Sequence, residues 1–412
     1  MISISKLAAS VQPSATLAAG AKAKQLQAAG VHVYDFSLGE PDFTTPEHIC
    51  RAATQAMQAG HTHYTAAAGT PELRAAIARR YKKIYGLECT PEQVIVSNGA
   101  KHSIHNALTA LCGPGDEVII PSPYWVSYSD LVQMTGAEFV LIKTSADGGF
   151  KMTPDQLRSH LSSRTKLIML NSPSNPTGAI YTRRELEAIA DVVLESNSAV
   201  LSDEIYEQLV YGDASTSCFA TLRRGLADRT ITVSGVSKTY AMTGWRMGWA
   251  VGPLPVIKAM GNIQSQQTSS PSSVSQYAAL AALEGDQACV EEMRREFESR
   301  RELVCRRVAA IGRLRLQPPD GAFYAFIDVS ESFGYKLAGK KIANSADFCQ
   351  VALEAAHVNL VPGSAFGAEG YVRMSFAAAR AELNGGLDRL AGLLNETCEG
   401  QPRDDAVAAH AR

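Results

Sequence analysis

The chain carries neither a charge signature nor a membrane signature. Its 39 lysines and arginines stand against 41 aspartates and glutamates, a formal net charge of −2, so nothing in its electrostatics asks for nucleic acid or an anionic membrane as partner. Nowhere do about 18 apolar residues run together. The opening MISISKLAASVQPSATLAAG has no continuous apolar stretch behind a basic start, and a cytoplasmic protein is expected. The cysteines Cys50, Cys89, Cys112, Cys218, Cys289, Cys305, Cys349 and Cys398 form no C-x-x-C pair and no cluster with histidine, which makes reduced thiols the default. A metal site is equally unsupported. His61-x-His63 and His102-x-x-His105 have no neighbouring cysteine and no H-E-x-x-H pattern, and read as polar surface or satisfied core histidines. Gly113-Pro114-Gly115 lacks the third glycine of a dinucleotide fingerprint and leads into a strand, which argues against a nicotinamide-dependent dehydrogenase. No repeat or low-complexity tract is visible.

At 412 residues the chain is longer than one core supports, so two domains, or one with a lobe, are expected. Short apolar runs alternate with stretches of helical period, the pattern of an α/β protein with a mostly parallel central sheet flanked by helices. Strands are predicted over Val94–Val96, Glu117–Ile120, Lys166–Leu170, Ala199–Ser202 and Thr230–Ser234. Thr45-Pro46 and Thr70-Pro71 predict N-caps followed by proline in the first turn, with Gly60 and Gly86 as the stops. From about Gly285 the texture changes to a long charged helix, Ala288–Ala310, and then to aromatic and β-branched strands near Phe323 and Tyr371, a smaller α+β lobe. The expected division is a large domain over 46–300, a small domain from 1–45 with 301–397, and a solvated tail over 398–412.

Ligands of an open parallel sheet sit beyond the carboxyl ends of its strands. Four predicted strands run there into Ser97-Asn98-Gly99-Ala100-Lys101, Asn171 to Gly178, Asp203-Glu204-Ile205-Tyr206 and Gly235-Val236-Ser237-Lys238, so four adjacent strand ends are expected to form one cleft. A lysine held just past a buried strand can lose its proton and attack an aldehyde, although most lysines are solvated surface groups. Arg246 can clamp an anion or make a structural salt bridge. Gly99-Ala100-Lys101 can offer N–H groups to a phosphate or be a common strand-to-helix turn. Asp203 ends an apolar strand and needs a cation or N–H donor, of which a protonated pyridine nitrogen is one. Tyr206 and Asn175 offer hydrogen bonds to the edge of such a ring, and Trp125 offers a stacking face or simple core packing.

The segments SLGEPDF, HYTAAAGTPELR, SNGAKHS, GDEVIIPSPYWVSY, NSPSNPTGAIY, SDEIYEQLVY, SGVSKTYAMTGWRMGW, GAFYAF, VPGSAFG and YVRMSFA occur in this order. Together they resemble the class I aminotransferases of the aspartate aminotransferase group, which have the fold type I architecture, over nearly everything except the tail. The resemblance implies pyridoxal 5'-phosphate as cofactor. It implies Lys238 as covalent anchor and then as the base that moves a proton between substrate and cofactor. Asp203 would keep the pyridine nitrogen protonated, with Asn175 and Tyr206 on the ring's phenolic oxygen and Trp125 on its face. The phosphate would be held by Gly99, Ala100, Lys101, Ser237 and Arg246, with Tyr64 reaching in from a second subunit of a homodimer. Gly39 and Arg373 would take the substrate α-carboxylate. Many members carry serine three residues before the lysine where this chain has Gly235, so one phosphate hydrogen bond is missing or supplied elsewhere.

In the branch most similar to this chain, a lysine and hydroxyls matching Lys101, Ser14 and Thr16 bind a distal carboxylate. This implies an amino acid and a 2-oxo acid as substrates, aspartate with 2-oxoglutarate giving oxaloacetate and glutamate. Relatives that convert prephenate to arogenate share the lysine and the threonine. Against that reading, Lys101 can neutralise the phosphate instead, and Ser14 and Thr16 can cap the following helix. A carbon–sulfur lyase or decarboxylase of the same fold needs the same lysine, aspartate and arginine. A non-catalytic member of the fold has no need of Lys238, Asp203, Arg246 and Arg373 together.

Overall fold

The computed structural model describes residues 2–11, 13 and 15–395; the tail expected over 398–412 lies outside them. Seven strands form the central sheet: β1 Val94–Ser97, β2 Glu117–Ser122, β3 Glu138–Lys143, β4 Thr165–Asn171, β5 Ala199–Asp203, β6 Thr230–Gly235 and β7 Gly248–Val251. Their order is β1-β7-β6-β5-β4-β2-β3. All neighbours are parallel except β7, which runs antiparallel to both β6 and β1. The continuous apolar runs follow from burial on both faces: Val94 and Val96 face one helical layer while Ile95 faces the other.

Two expectations are corrected here. The four polar strand ends are not all adjacent, because β7 lies between β1 and β6. Since β7 is antiparallel to both, β1 and β6 still point the same way and their carboxyl ends share one edge. Thr70 caps its helix as expected, accepting from Leu73 N at 3.4 Å ahead of Pro71, and Gly86 closes that helix at φ +70°. Thr45 does not cap. The helix Glu47–Gln58 begins after Pro46, and the Thr45 hydroxyl instead donates to Ala241 O at 2.8 Å and accepts from Trp245 Nε1 at 2.9 Å.

A second sheet is built from β8 Arg315–Leu316, β9 Tyr324–Asp328, β10 Val361–Pro362 and β11 Tyr371–Ser375, in the antiparallel order β10-β11-β9-β8. It packs with the helices Ala288–Ala309, Ser345–Ala356 and Arg380–Asn395 around Phe297, Phe323, Phe348 and Leu387. Tyr34 and Asp35 pair with Val358 and Asn359 of this lobe. The chain then crosses toward the central sheet as a strap. Asp42 is tied to Arg300 at 2.7 Å, Glu40 accepts from the Thr243 hydroxyl at 2.7 Å, and Gly39 O accepts from Lys238. The strap is thereby fastened to the long helix and to the loop that follows β6.

Candidate active site

Every residue of β6 is buried, and Lys238 stands three residues beyond its end. Its Nζ donates to Gly39 O at 2.5 Å. Burial lowers its pKa to about 8, against the opposing pull of the Glu40 carboxylate, so it is still mostly charged at neutral pH but loses its proton far more readily than a solvated lysine. Asp203 ends β5 in the same wall. Tyr128 donates to its Oδ2 at 2.6 Å and Ile205 N to its Oδ1 at 3.2 Å. Burial still raises its pKa to about 6, with the Tyr128 hydrogen bond acting the other way. Two donors do not offset the desolvation of this carboxylate, and a cation or charged N–H in the cleft would.

Backbones crowd together beside these groups. The helix Ala100–Leu111 starts from Gly99 at φ +88°, so its first N–H groups, which have no acceptor within the helix, face the cleft. A Cβ on Gly99 would stand 2.5 Å from Arg246 Nη2, one on Gly248 2.4 Å from Ala100 N, and one on Gly235 2.9 Å from Gly248 Cα and Met247 O. A serine at 235 would therefore collide with β7, and the departure at that position has a packing cause. Arg246 sits at φ +53°, a left-handed conformation that costs a non-glycine residue about 1–3 kcal/mol. Its guanidinium donates to Thr243 O at 2.8 Å and Asn98 O at 3.3 Å, neither of them an anion. Helix start and guanidinium together form a cradle for a phosphate-sized anion.

β11 supplies the opposite wall. Arg373 is 1% exposed. Its Nη1 donates to Asn175 Oδ1 at 3.0 Å and its Nη2 to Ser37 O at 2.6 Å, while its Nε has no partner. Its guanidinium lies 4.5 Å from the Tyr324 ring centre and 5.2 Å from that of Phe366. Burial lowers its pKa. Asn175, having committed its oxygen to Arg373, keeps its Nδ2 donors for a ligand. The hydroxyls of Tyr206 and Tyr324 are 2.8 Å apart, and burial pushes both phenol pKa values up, so both stay protonated. Lys101 Nζ stands 4.9 Å from the centre of the Trp125 ring. Burial, then the nearby Arg246, lowers its pKa.

Gly39, Ala100, Lys101, Trp125, Asn175, Asp203, Tyr206, Ser237, Lys238, Arg246 and Arg373 all line one cleft of about 370 Å³, the lower end of the range for small-molecule sites. Gly99 adjoins it through Arg246. Tyr64 does not belong to it; this side chain is 86% exposed. Ser14 and the Thr16 side chain lie outside the described residues. Tyr128 and Tyr324 were given no role in advance, although they lie within the segments GDEVIIPSPYWVSY and GAFYAF; each matters through one hydrogen bond to a residue far away in sequence. Among the described residues none of Lys101, Lys238, Arg246 and Arg373 makes a salt bridge, so four cations surround the single buried carboxylate of Asp203. The donor set fits a ligand with an anionic phosphate, a basic ring nitrogen that can take a proton, an electrophilic carbon for the lysine, and a partner bearing carboxylate. Among the described residues no three His, Cys, Asp or Glu side chains gather as a metal site would require, and no helix is long and apolar enough to cross a membrane.

Comparison with known proteins agrees with this geometry. The family described as aminotransferase class I and II matches residues 31–390. An aspartate/prephenate aminotransferase of Cereibacter sphaeroides is 46% identical over 92% of this chain and 95% of its own length. The crystal structure of the aspartate aminotransferase of Rhizobium meliloti superposes with a TM-score of 0.93 at 43% identity, covering 96% of this chain and 99% of that one. That of Thermus thermophilus, solved with maleate, gives 0.91 at 40% identity over 96% and 100%.

Proposed function

The chain belongs to the class I and II aminotransferases, enzymes that depend on pyridoxal 5'-phosphate, and from that premise we propose that it transfers the amino group of aspartate to 2-oxoglutarate, yielding oxaloacetate and glutamate. The observation that carries the reading is the set of four basic side chains that share one cleft with Asp203 and, among the described residues, make no salt bridge. That excess of positive charge suits a phosphate and two substrate carboxylates, since each anion entering a dry cleft must meet a cation.

When bound, the cofactor supplies an aldehyde that takes up the amino group and a ring that accepts electrons. Lys238 anchors it covalently and, once released, carries the proton from the substrate Cα; a pKa of about 8 suits one amine to both tasks. Asp203, oriented by Tyr128, accepts the ring N–H and keeps that nitrogen charged. Tyr206 and the Asn175 Nδ2 group donate to the ring oxygen, while Trp125 covers the ring face. Arg246, Ser237 and the first N–H groups of the helix Ala100–Leu111 hold the phosphate. The Arg373 fork, with Gly39, grips the α-carboxylate and so fixes which Cα bond faces Lys238. Lys101, with Ser14 and Thr16, takes the distal carboxylate. The maleate in the Thermus thermophilus structure, a dicarboxylate of aspartate's length, supports a dicarboxylic substrate.

The exposed Tyr64 reaches the phosphate of a partner subunit, which makes the working enzyme a homodimer in the cytoplasm. Residues 46–300 form the cofactor-binding domain, and 1–45 with 301–397 the domain that carries Arg373. The likeness to the aspartate/prephenate aminotransferase of Cereibacter sphaeroides favours a second reading in which prephenate also accepts the amino group. The test is the absorption spectrum of the loaded protein before and after aspartate, with glutamate, arogenate and alanine in parallel. Conversion of the visible band by aspartate establishes the half-reaction, and conversion by arogenate adds the second substrate. A band that no amino acid converts moves the chain to another reaction of the same fold.

A further inference from the structure

Tyr206 has one hydroxyl proton. The only side-chain partner that this hydroxyl has among the described residues is the hydroxyl of Tyr324, 2.8 Å away, and either oxygen can be the donor. If Tyr206 gives its proton to Tyr324, it has none to give to a ligand. If Tyr324 is the donor, the Tyr206 proton is free to point into the cleft. Two further observations bias the pair. The Arg373 guanidinium lies over the Tyr324 ring at 4.5 Å, and a cation above a phenol strengthens its O–H as a donor; Arg373 acts on both phenols, but for Tyr324 it is the foremost influence against burial, while for Tyr206 it ranks behind Tyr324 itself. In addition, the Tyr324 hydroxyl occupies the space that a side chain on Gly39 would take, 2.8 Å from an ideal Cβ there. Its position is thus fixed from the strap side as well as by Tyr206.

We propose that Tyr324 is a positioning residue: its hydroxyl donates to Tyr206 and thereby turns the single Tyr206 proton toward the cofactor's ring oxygen. The inference rests on the reading of the cleft as a pyridoxal-phosphate site. Its consequence has a definite sign. A ring oxygen whose negative charge is held by an external donor shares less of that charge with a proton nearby, so the bound cofactor loses its proton at lower pH. Loss of the Tyr324 hydroxyl removes the donor that polarises and aims the Tyr206 O–H, which weakens its donation to the ring oxygen, and the proton is then retained to higher pH.

The experiment is a spectrophotometric pH titration of the loaded protein, reading the midpoint of the visible band rather than turnover. Tyr324→Phe keeps the ring beneath Arg373 and removes one oxygen; the midpoint is expected to rise by about half to one pH unit, the worth of one neutral hydrogen bond. Gly39→Ala, which pushes on the same hydroxyl from the strap, is expected to shift it in the same direction. Tyr206→Phe should raise it further, and adding Tyr324→Phe to Tyr206→Phe should change nothing more, since the second hydroxyl acts through the first. A midpoint unmoved in both Tyr324→Phe and Gly39→Ala, or full additivity in the double variant, overturns the proposal while leaving the cofactor reading intact. A wild-type protein that shows no visible band with pyridoxal phosphate overturns both.

Discussion

Asp203 and Glu204 are neighbours in sequence, both carboxylates, both buried, and they face opposite sides of the central sheet. On the cleft side Asp203 receives Tyr128 and Ile205 N and sits in a wall with Lys238. On the far side Glu204 receives the Ser202 hydroxyl at 2.8 Å and Phe219 N at 3.1 Å. Its other neighbour is a second carboxylate, Glu207, which already takes Arg80 at 2.9 Å and the Tyr85 hydroxyl at 2.5 Å. The Arg80 guanidinium pairs with Glu207, and Tyr81 and Cys218 stand close by. Burial, then Glu207, pushes the Glu204 pKa to about 8, whereas Asp203 reaches only about 6. The same desolvation is met on one side by holding a proton and on the other by donors that leave a charge waiting for a cation. A carboxylate near its ionisation point is thus no sign of a site by itself; what surrounds it decides.

The comparison can be broken most sharply on the cleft side. Lys238→Ala is expected to cut kcat by about 10³ or more with the thermal midpoint of the cofactor-free protein nearly unchanged; unfolding would make the lysine structural. Asp203→Asn should lower kcat by about 10²–10³. Because the ionised carboxylate no longer pays its desolvation at neutral pH, calorimetry should show a cofactor-free protein at least as stable as wild type and a smaller rise in midpoint on adding pyridoxal phosphate. Lys101→Ala should reduce kcat/KM for aspartate by about 10–100-fold while the visible spectrum of the loaded enzyme stays as it was; an equal loss of cofactor affinity would assign the lysine to the phosphate.

Glu204→Gln, on the far side, should leave kcat within about twofold and act on stability alone. Free glutamate has a pKa of 4.5 and the folded value is about 8. Below pH 4.5 both states hold the proton. Between 4.5 and 8 folding takes one up, so this group's contribution to stability falls as pH rises, by at most about 1.4 kcal/mol per pH unit, and the loss is complete above 8. Urea titrations across that window should show the variant matching wild type near pH 4.5 and gaining on it up to pH 8. Parallel curves would mean that Glu204 is ionised throughout.

Much of this arrangement was legible in the residue order. Lys238, Asp203 and Asn175 each stand just beyond a short apolar run, and a parallel sheet gathers such positions at one edge whatever the connections between them; Arg246 instead precedes β7, whose antiparallel course starts it from that same edge. The partners that orient these groups were not legible. Tyr128 meets Asp203 across 75 residues, and Tyr324 meets Tyr206 across 118, with no periodicity to announce either. β7 escaped prediction because Gly248-Trp249-Ala250-Val251 is short and begins with glycine, and its antiparallel insertion is what separated strand ends expected to be neighbours. Thr45 misled for a physical reason: a hydroxyl before proline is a good cap, but here Ala241 O and Trp245, some 200 positions away, hold it elsewhere.

The contact of Gly99, Gly235 and Gly248 has a bearing on how this protein can change over generations. Every amino acid one nucleotide away from a glycine codon carries a Cβ, and at these three places a Cβ would come within 3.0 Å of an atom already there. No single missense step at these codons is accommodated without moving a strand, a helix start or the Arg246 guanidinium. On the reading proposed above, substrate preference would drift through Lys101 one substitution at a time, while the cradle behind it stays shut to gradual variation.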